Sequence, residues 1–253
     1  MSSDVYLVEA SQLADVRVGE LLELGGDEGR HAVTVKRVTP GEAIELVDGS
    51  GRRAMCSVVE VSSRDTLTVI VSALRNEPAP QPRIIVVQAI PKGDRGELAV
   101  ETLTEVGVDA IVPWSARRCV AKWSGEKTDR GVAKWRRAAR EATKQARRSW
   151  IPDVADVAAT TEITRLIASG VRDGARAIVL HEAAVLRLAS MKLPTHAEVI
   201  LVVGPEGGIA PEELAAFEAA GALSCRMGPS VLRTSTAGTA AAAVVLASTG
   251  RWS

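Results

Sequence analysis

Apolar and polar positions follow two different periods along this chain, and the change comes at a proline-rich segment. Ala43-Ile-Glu-Leu-Val47 alternates every second residue and runs into Asp48-Gly49-Ser50-Gly51, a hairpin signal, after a turn at Thr39-Pro40-Gly41-Glu42. Two more strand-like stretches, Ala54 to Val61 and Thr66 to Ala73, are split by the polar Ser62-Ser-Arg-Asp65. A short helix is predicted around Asp27 to Val38. Short strands with turns at this spacing predict a small β-barrel over residues 1–75. Asn76-Glu-Pro-Ala-Pro-Gln-Pro82 then holds three prolines in seven residues, which makes a stiff, extended linker at 76–82.

Beyond the linker, Arg83-Ile-Ile-Val-Val-Gln-Ala-Ile90 is nearly all apolar, as a strand covered on both faces should be. Asp94 to Gly107 reads as a helix with Leu98, Leu103 and Val106 on one side and Gly107 as its stop. Further strands are expected at Ala110 to Trp114, Ala177 to Leu180, Val199 to Val203 and Ser224 to Met227. Helices are expected at Arg130 to Ser149, Thr161 to Ser169, Pro211 to Ala220 and Thr236 to Thr249. Strands alternating with helices predict an α/β domain with a mostly parallel sheet over residues 83–253.

Composition narrows the class. The 253 residues are 46% hydrophobic and 25% charged, ordinary globular usage that excludes disorder and collagen-like repeats. Cys56, Cys119 and Cys225 are far apart and form no Cys-x-x-Cys pair, which argues against a disulfide framework or a zinc site. His31, His181 and His196 show no metal spacing either, and no metal is expected. The longest apolar run, Ala240 to Ala247, is 8 residues long where about twenty are needed to cross a bilayer. The chain starts without a basic-then-apolar signal pattern. A soluble, cytoplasmic protein without membrane partners is the expectation. The charge balances only in total. Residues 1–80, 81–116, 117–150 and 151–253 carry −5, −2, +9 and −2. A cluster of +9 within 34 residues is the footprint of a polyanion such as RNA, although a solvated helix face would look the same.

Two loops stand out at strand ends. Leu201-Val-Val-Gly-Pro-Glu-Gly-Gly-Ile-Ala-Pro211 runs a buried strand into glycines and then into a helix opened by proline. Glycines there let a ligand approach the backbone closely; by spacing alone a tight structural turn explains them equally well. The phosphate-loop and dinucleotide spacings are absent. Met227-Gly-Pro-Ser-Val-Leu-Arg-Thr-Ser-Thr-Ala-Gly238 repeats the pattern, and Arg233 is its one charged side chain between Arg226 and Arg251. The small residues from Ala237 to Ala243 allow close packing of another backbone or a flat ligand.

Taken with Val179-Leu180-His181-Glu182, this pair of loops resembles the RsmE family of SPOUT-superfamily RNA methyltransferases. The resemblance extends to Lys134-Trp135, to Glu141-Ala-Thr-Lys-Gln-Ala-Arg-Arg148 and to the small β-domain. It implies a SPOUT-type α/β domain with a C-terminal trefoil knot, preceded by a PUA-like β-barrel, although knots are otherwise almost absent from folds. It also implies a homodimer that transfers a methyl group from S-adenosylmethionine to N3 of one uridine in 16S rRNA of the 30S subunit. The cofactor pocket would be walled by Leu180, His181 and Glu182, by Val203, Gly204, Pro205, Glu206, Gly207 and Gly208, and by Met227, Gly228, Val231, Leu232, Arg233, Thr234, Thr236 and Ala237. Many relatives carry Glu where this chain has Ser235, so that side chain is assigned no role.

The reaction needs alignment of the methyl donor with N3 and help for the negative charge that develops on uracil. Arg233 is the candidate electrostatic catalyst. Glu141, Gln145 and Arg148 share a helical face, and Glu141 is a candidate proton acceptor, although a surface pairing with Arg137 explains it more simply. Candidate phosphate contacts are Arg30, His31, Lys36, Arg37, Arg52 and Arg53 in the β-domain, and Arg117, Arg118, Lys122, Arg136, Arg140, Lys144, Arg147 and Arg148 in the basic segment. Trp123, Trp135 and Trp150 are expected in the core first and as base-stacking platforms second. The competing functions are a tRNA or ribose 2′-O methyltransferase of the same superfamily and a non-catalytic RNA-binding assembly factor.

Overall fold

Burial in the first part of the chain repeats every second residue: Ile44 and Leu46, then Ala54, Cys56 and Val58, then Leu67, Val69 and Val71 turn inward. In the computed structural model, which describes residues 3–252, these positions belong to a first unit formed by residues up to Ala79 together with Thr143–Ile151. Its elements are β1 (Asp4–Leu7), α1 (Ala10–Leu13), β2 (Leu21–Leu24), α2 (Gly26–Arg30), β3 (Ala43–Val47), β4 (Arg52–Val61) and β5 (Leu67–Asn76). The sheet order is β1-β3-β4-β5-β2, antiparallel except for the β1–β3 pair. β1 and β2 are the ends of this ladder, and Tyr6, Leu13, Leu24, Leu46 and Leu67 pack together in its core. The expected helix at 27–38 is α2 continued by a π-helical stretch, His31–Lys36, which stops where Arg37 turns left-handed at φ 56°. Alternation does not announce β1 or β2: β1 buries three successive residues, and β2 buries only Leu24 fully.

Thr143–Ile151 lie in this unit although the chain pattern assigns them to the domain that follows the linker. Gly51 N–H donates to Ser149 O at 3.0 Å and Ile151 N–H to Gly49 O at 2.9 Å. Ser149 Oγ donates to Glu77 at 2.7 Å, and the Trp150 indole N–H donates to Glu77 O at 3.1 Å. No periodicity reports such long-range bonds. The termini of the expected domains, Met1, Ser2 and Ser253, lie outside the described residues.

The second unit, Pro80–Ala142 and residues from Pro152 on, begins with β6 (Ile84–Ala89), whose six residues are all buried. There follow α3 (Arg95–Val106), β7 (Ala110–Trp114), α4 (Glu126–Gln145, of which the residues from Thr143 on count with the first unit), β8 (Asp153–Val154), α5 (Thr160–Arg172), β9 (Arg176–Leu180), β10 (Leu186–Arg187), β11 (Val199–Val203), α6 (Pro211–Ala219), β12 (Leu223–Arg226) and α7 (Thr234–Ser248). The sheet order is β10-β12-β9-β11-β6-β7-β8, and every pair is parallel. Successive residues of the central strands feed opposite layers, which is why their sequences are apolar without alternation. Ile84, Val86, Val199 and Leu201 join Val100, Leu103, Val245 and Leu246 on one side. Ile85, Val87, Ile200 and Val202 join Ile163, Ile167 and Phe217 on the other. Truncating one of these side chains to Ala costs about 2–5 kcal/mol. The far end of the chain is tied down by Arg251, whose guanidinium lies 2.5 Å from Asp109 and donates to Pro82 O and Gly107 O.

No helix among the described residues is long and apolar enough to cross a membrane. Cys56, Cys119 and Cys225 are all free and buried. Burial pushes the Cys56 thiol up to about 12 and raises Cys119 and Cys225 as well. Because the folded-state values are raised, the neutral thiols contribute stability that is complete below the ordinary thiol pKa and is lost as pH rises through the folded values. An aromatic disulfide reagent at mildly alkaline pH should therefore find no fast-reacting thiol in the native protein and all three in guanidinium chloride. A rapid native phase would contradict this packing.

Candidate functional site

All strands of the second unit point the same way, so their C-terminal ends share one edge of the sheet. There β12, β9 and β11 are neighbours, and the loops that leave them surround a cavity of about 330 Å³. Crevices beyond the carboxyl ends of parallel strands are where open α/β sheets bind ligands. The first wall is Leu180, His181 and Glu182; the backbone N–H of His181 donates to Cys225 O at 2.9 Å, which joins this loop to β12. The second is Val203 to Glu206 with Gly208 and Ile209, and the third runs from Arg226 to Thr234 with Ala237. Arg95, at the start of α3, closes the rim.

The glycines are required by local geometry. A Cβ on Gly204 would stand 2.7 Å from Ile209 Cγ1, and Gly208 has a left-handed φ of 72° where its N–H closes a turn onto Pro205 O at 2.9 Å. Glu206 does not simply face a ligand: its Oε1 accepts the backbone N–H of Lys92 at 3.2 Å and so holds the 91–95 loop. Arg233 is the N-cap residue of α7, and its carbonyl accepts the N–H groups of Thr236 and Ala237, both at 2.9 Å. Its guanidinium has no carboxylate partner among the described residues. Arg95, Arg226 and Arg233 therefore face Glu182 and Glu206 around one small, mixed-charge cavity with apolar walls.

Fifteen of the seventeen residues expected to hold a cofactor line this cavity. Gly207 does not; it backs onto Arg118, whose Nη1 donates to its carbonyl at 3.3 Å. Thr236 does not either, and its hydroxyl turns back to Arg233 O at 3.3 Å. Glu141 is exposed on α4 and is not a wall of the cavity, so the structure does not bring the candidate proton acceptor to the site. Residues that the motifs did not single out are Arg95, Ile209, Arg226, Pro229 and Ser230. Gln88 was also missed, because one polar residue in an apolar strand carries no periodic signal. It is fully buried in β6, beside Val203 in register. Its Nε2 donates to Thr234 O at 3.2 Å and to Ala89 O at 3.1 Å, while its Oε1 has no partner. The small residues of α7 serve close packing: Gly238 sits against Leu103 and Val203, and Thr239 meets Thr102 at 2.7 Å.

Among the basic candidates, Arg30, Lys36, Arg37 and Arg147 of the first unit are exposed, and Arg148 is half-buried. Arg30 pairs with Asp27 at 3.1 Å and Lys36 with Asp4 at 3.0 Å, surface pairs that cost little to break. His31 is half-buried, edge-on to Tyr6 at 6.3 Å. Three expectations are corrected here. Arg53, whose side chain is 11% exposed, is bound to Glu45 and Glu77, and Lys144, 10% exposed, is bound to Glu28 at 2.9 Å. Arg52 donates to Ala14 O and to Val16 O. All three are engaged in holding the first unit together. In the second unit Arg117, Arg118, Lys122 and Arg136 are exposed and Arg140 is half-buried; Arg117 pairs with Glu212 and Arg136 with Asp156. No group of three or more His, Cys, Asp or Glu among the described residues is placed to hold a metal ion.

A parallel α/β sheet with a ligand cavity at its strand ends, in a chain with a separate small β unit, defines a two-domain α/β protein. Residues 77–246 match the model of an RNA methyltransferase domain and residues 24–72 that of an RNA methyltransferase PUA domain. This chain belongs to that RNA methyltransferase family. It is 46% identical over 234 residues to the Ribosomal RNA small subunit methyltransferase E of Mycobacterium tuberculosis, covering 92% of this chain and 89% of the relative. It is 28% identical over 241 residues to the Bacillus subtilis protein of the same name, covering 92% and 91%. A solved Legionella pneumophila structure, titled as a methyltransferase in complex with the bound cofactor SAM, shares 27% identity at a TM-score of 0.82 over 98% of each chain. The Ribosomal RNA small subunit methyltransferase E of Neisseria gonorrhoeae, at 24% identity, has a TM-score of 0.84 over 97% of this chain and 98% of that one, a likeness of fold.

The geometry of α7 makes a direct prediction. A Cβ on Gly238 would stand 3.2 Å from both Leu103 and Val203. Gly238→Leu should cost about 1–3 kcal/mol by overpacking, a fall in thermal midpoint of roughly 2–12 °C at this chain length. Gly228→Ala, with nothing within 4 Å of the added carbon, should leave the midpoint unchanged.

Proposed function

We propose that this chain methylates N3 of one uridine in 16S rRNA of the 30S subunit, with S-adenosylmethionine as the methyl donor. The observation that carries the reading is the convergence of three strand-end loops on one cavity of about 330 Å³, at the low end of the roughly 300–1,000 Å³ of small-molecule sites. The residues fit such a cofactor. Bare backbone at Gly204, Gly208 and Gly228 offers N–H and C=O groups to a base and an amino-acid tail, Leu180, Val203, Ile209 and Leu232 offer apolar contact, and Glu182 and Glu206 suit a ligand with positive charge. When bound, S-adenosylmethionine supplies a methyl carbon already activated by its sulfonium.

The protein then has to place uracil N3 in line with that carbon and stabilise the charge left as N3 loses its proton. Arg233 is the residue for this task, because its backbone is fixed as the cap of α7 and its guanidinium has no carboxylate partner among the described residues. Gln88 supports it from below by holding the carbonyl of Thr234. Exposed Arg30, Lys36 and Arg37 in the first unit, and Arg117, Arg118, Lys122 and Arg136 in the second, are the phosphate contacts. A uridine modified on its pairing edge must be unpaired when it reacts. A cytoplasmic homodimer with a trefoil knot belongs to the same reading. The path of α7 supports the knot: β12 lies beyond β9, and the helix that follows it returns to α3, β6 and β11.

Purified protein, labelled S-adenosylmethionine and unmethylated 30S subunits should yield 3-methyluridine by nucleoside mass spectrometry. Label on tRNA or on ribose would move the substrate assignment elsewhere in the superfamily. Arg233→Ala should lower turnover about 10²–10³-fold with cofactor affinity changed no more than a few-fold; near-normal turnover would remove Arg233 from the mechanism. Gln88→Leu removes the donor to the buried carbonyls of Thr234 and Ala89, so stability should fall by about 1–3 kcal/mol, and turnover of the folded variant should drop as well because Thr234 and Arg233 lose their anchor. Near-normal turnover of the folded variant would mark Gln88 as ordinary core.

A further inference from the structure

The second unit carries another cavity, of about 410 Å³, between the start of α3 and the first turns of α4. Its walls include Gly93 and Asp94 of the 91–95 loop and the rings of Trp123 and Trp135. That loop has two sides, since Arg95 lines the cofactor cavity, and Glu206 of the cofactor cavity holds the loop through the Lys92 N–H. The two cavities therefore share one wall.

The chemistry of the second cavity is aromatic and cationic. Trp123 is half-buried, with its ring against Gly131 and edge-to-face with Trp135 at 5.5 Å. Trp135 is 2% exposed. Gly96 packs closely on its indole edge, since a Cβ there would stand 2.7 Å from Trp135 Nε1. Lys127, Arg130 and Lys134 follow one face of α4 along the cavity. Arg130 pairs with Glu126, and Lys134 lies 3.6 Å from Glu97, whereas Lys127 has no carboxylate partner among the described residues. Asp94 and Glu97 add acceptors for the amino and imino edge of a base.

We propose that this cavity holds an unpaired nucleotide of the RNA substrate other than the one methylated. Its base lies against Trp123, and its phosphate lies by Lys127. This rests on the reading of the chain as an RNA methyltransferase. A base held on the far side of the 91–95 loop would set the register of the strand that enters the cofactor cavity, and would couple RNA binding to the Glu206 contact.

The test uses the full chain and unmethylated 30S subunits, comparing wild type with Lys127→Glu and Trp123→Ala. The RNA Kd and the KM for 30S should each rise about tenfold, the scale of one lost base stack, with cofactor affinity and kcat at saturating substrate unchanged. Lys127→Glu replaces an exposed side chain, so it answers even if Trp123→Ala fails to fold. Wild-type Kd and KM in the Lys127 variant overturn the proposal, and so does an equal loss of cofactor affinity, which would mean the cavity acts only through the loop. If wild type transfers no methyl group to any RNA, the methyltransferase reading itself has failed, and the proposal falls with it.

Discussion

The parallel pairing of β11 between β9 and β6 is the constraint on which the site depends. Those ladders are buried on both faces, so their register is held by apolar packing in two layers at once. A slip of one residue would exchange the layers and expose nothing polar, yet it would misfit every side chain against helices already packed to crystal-like density. With that register set, the ends of β9, β11 and β12 have no freedom to separate, and the loops beyond them converge. A hydrophobic arrangement in the core thus determines the geometry of a polar cavity at its edge.

Small residues turn that convergence into a usable space. Gly204 and Gly208 let the loop after β11 fold back onto Ile209, and Gly238 lets α7 lie close to α3 and β11. The buried amide of Gln88 is the one polar intrusion into the central strands next to the cavity. Its bond to Thr234 O ties β6 to the start of α7 beside Arg233, and its unpartnered oxygen is the cost of placing an amide there. Glu206 does the same for the neighbouring loop by accepting a backbone N–H. The site is therefore a set of loops braced to one another through main-chain groups, and its open charges are mostly arginines.

The basic segment shows how charge counts mislead. Residues 117–150 carry an excess of +9, but in the structure the Lys144 side chain is 10% exposed and paired with Glu28, and Arg140 is half-buried, whereas Arg117 and Arg136 stay exposed although each has a carboxylate beside it. What faces water is a subset; in the first unit, taken by itself, Arg30, Lys36 and Arg37 are exposed. Counting cations points toward a polyanion partner without identifying one, and it does not say which of them remain available once a fold has claimed its share.

From the chain alone, the period of apolar residues determined most elements and the order α/β after β, because two-fold and continuous burial leave different marks that need no partner to read. The glycine and proline spacing at 204–211 and 227–238 marked turns and helix caps for the same reason, since these are local; spacing left open whether a ligand meets them. Tertiary structure alone decided that Thr143–Ile151 belongs with the β unit, that Glu141 stands away from the cavity, and that Arg52, Arg53 and Lys144 are internal braces. It also brought Arg95, Arg226 and Gln88 to the site. Each of these rests on contacts between residues far apart in the chain, where a hydrogen bond or an ion pair leaves no periodic trace in the sequence and exists only once the core has closed.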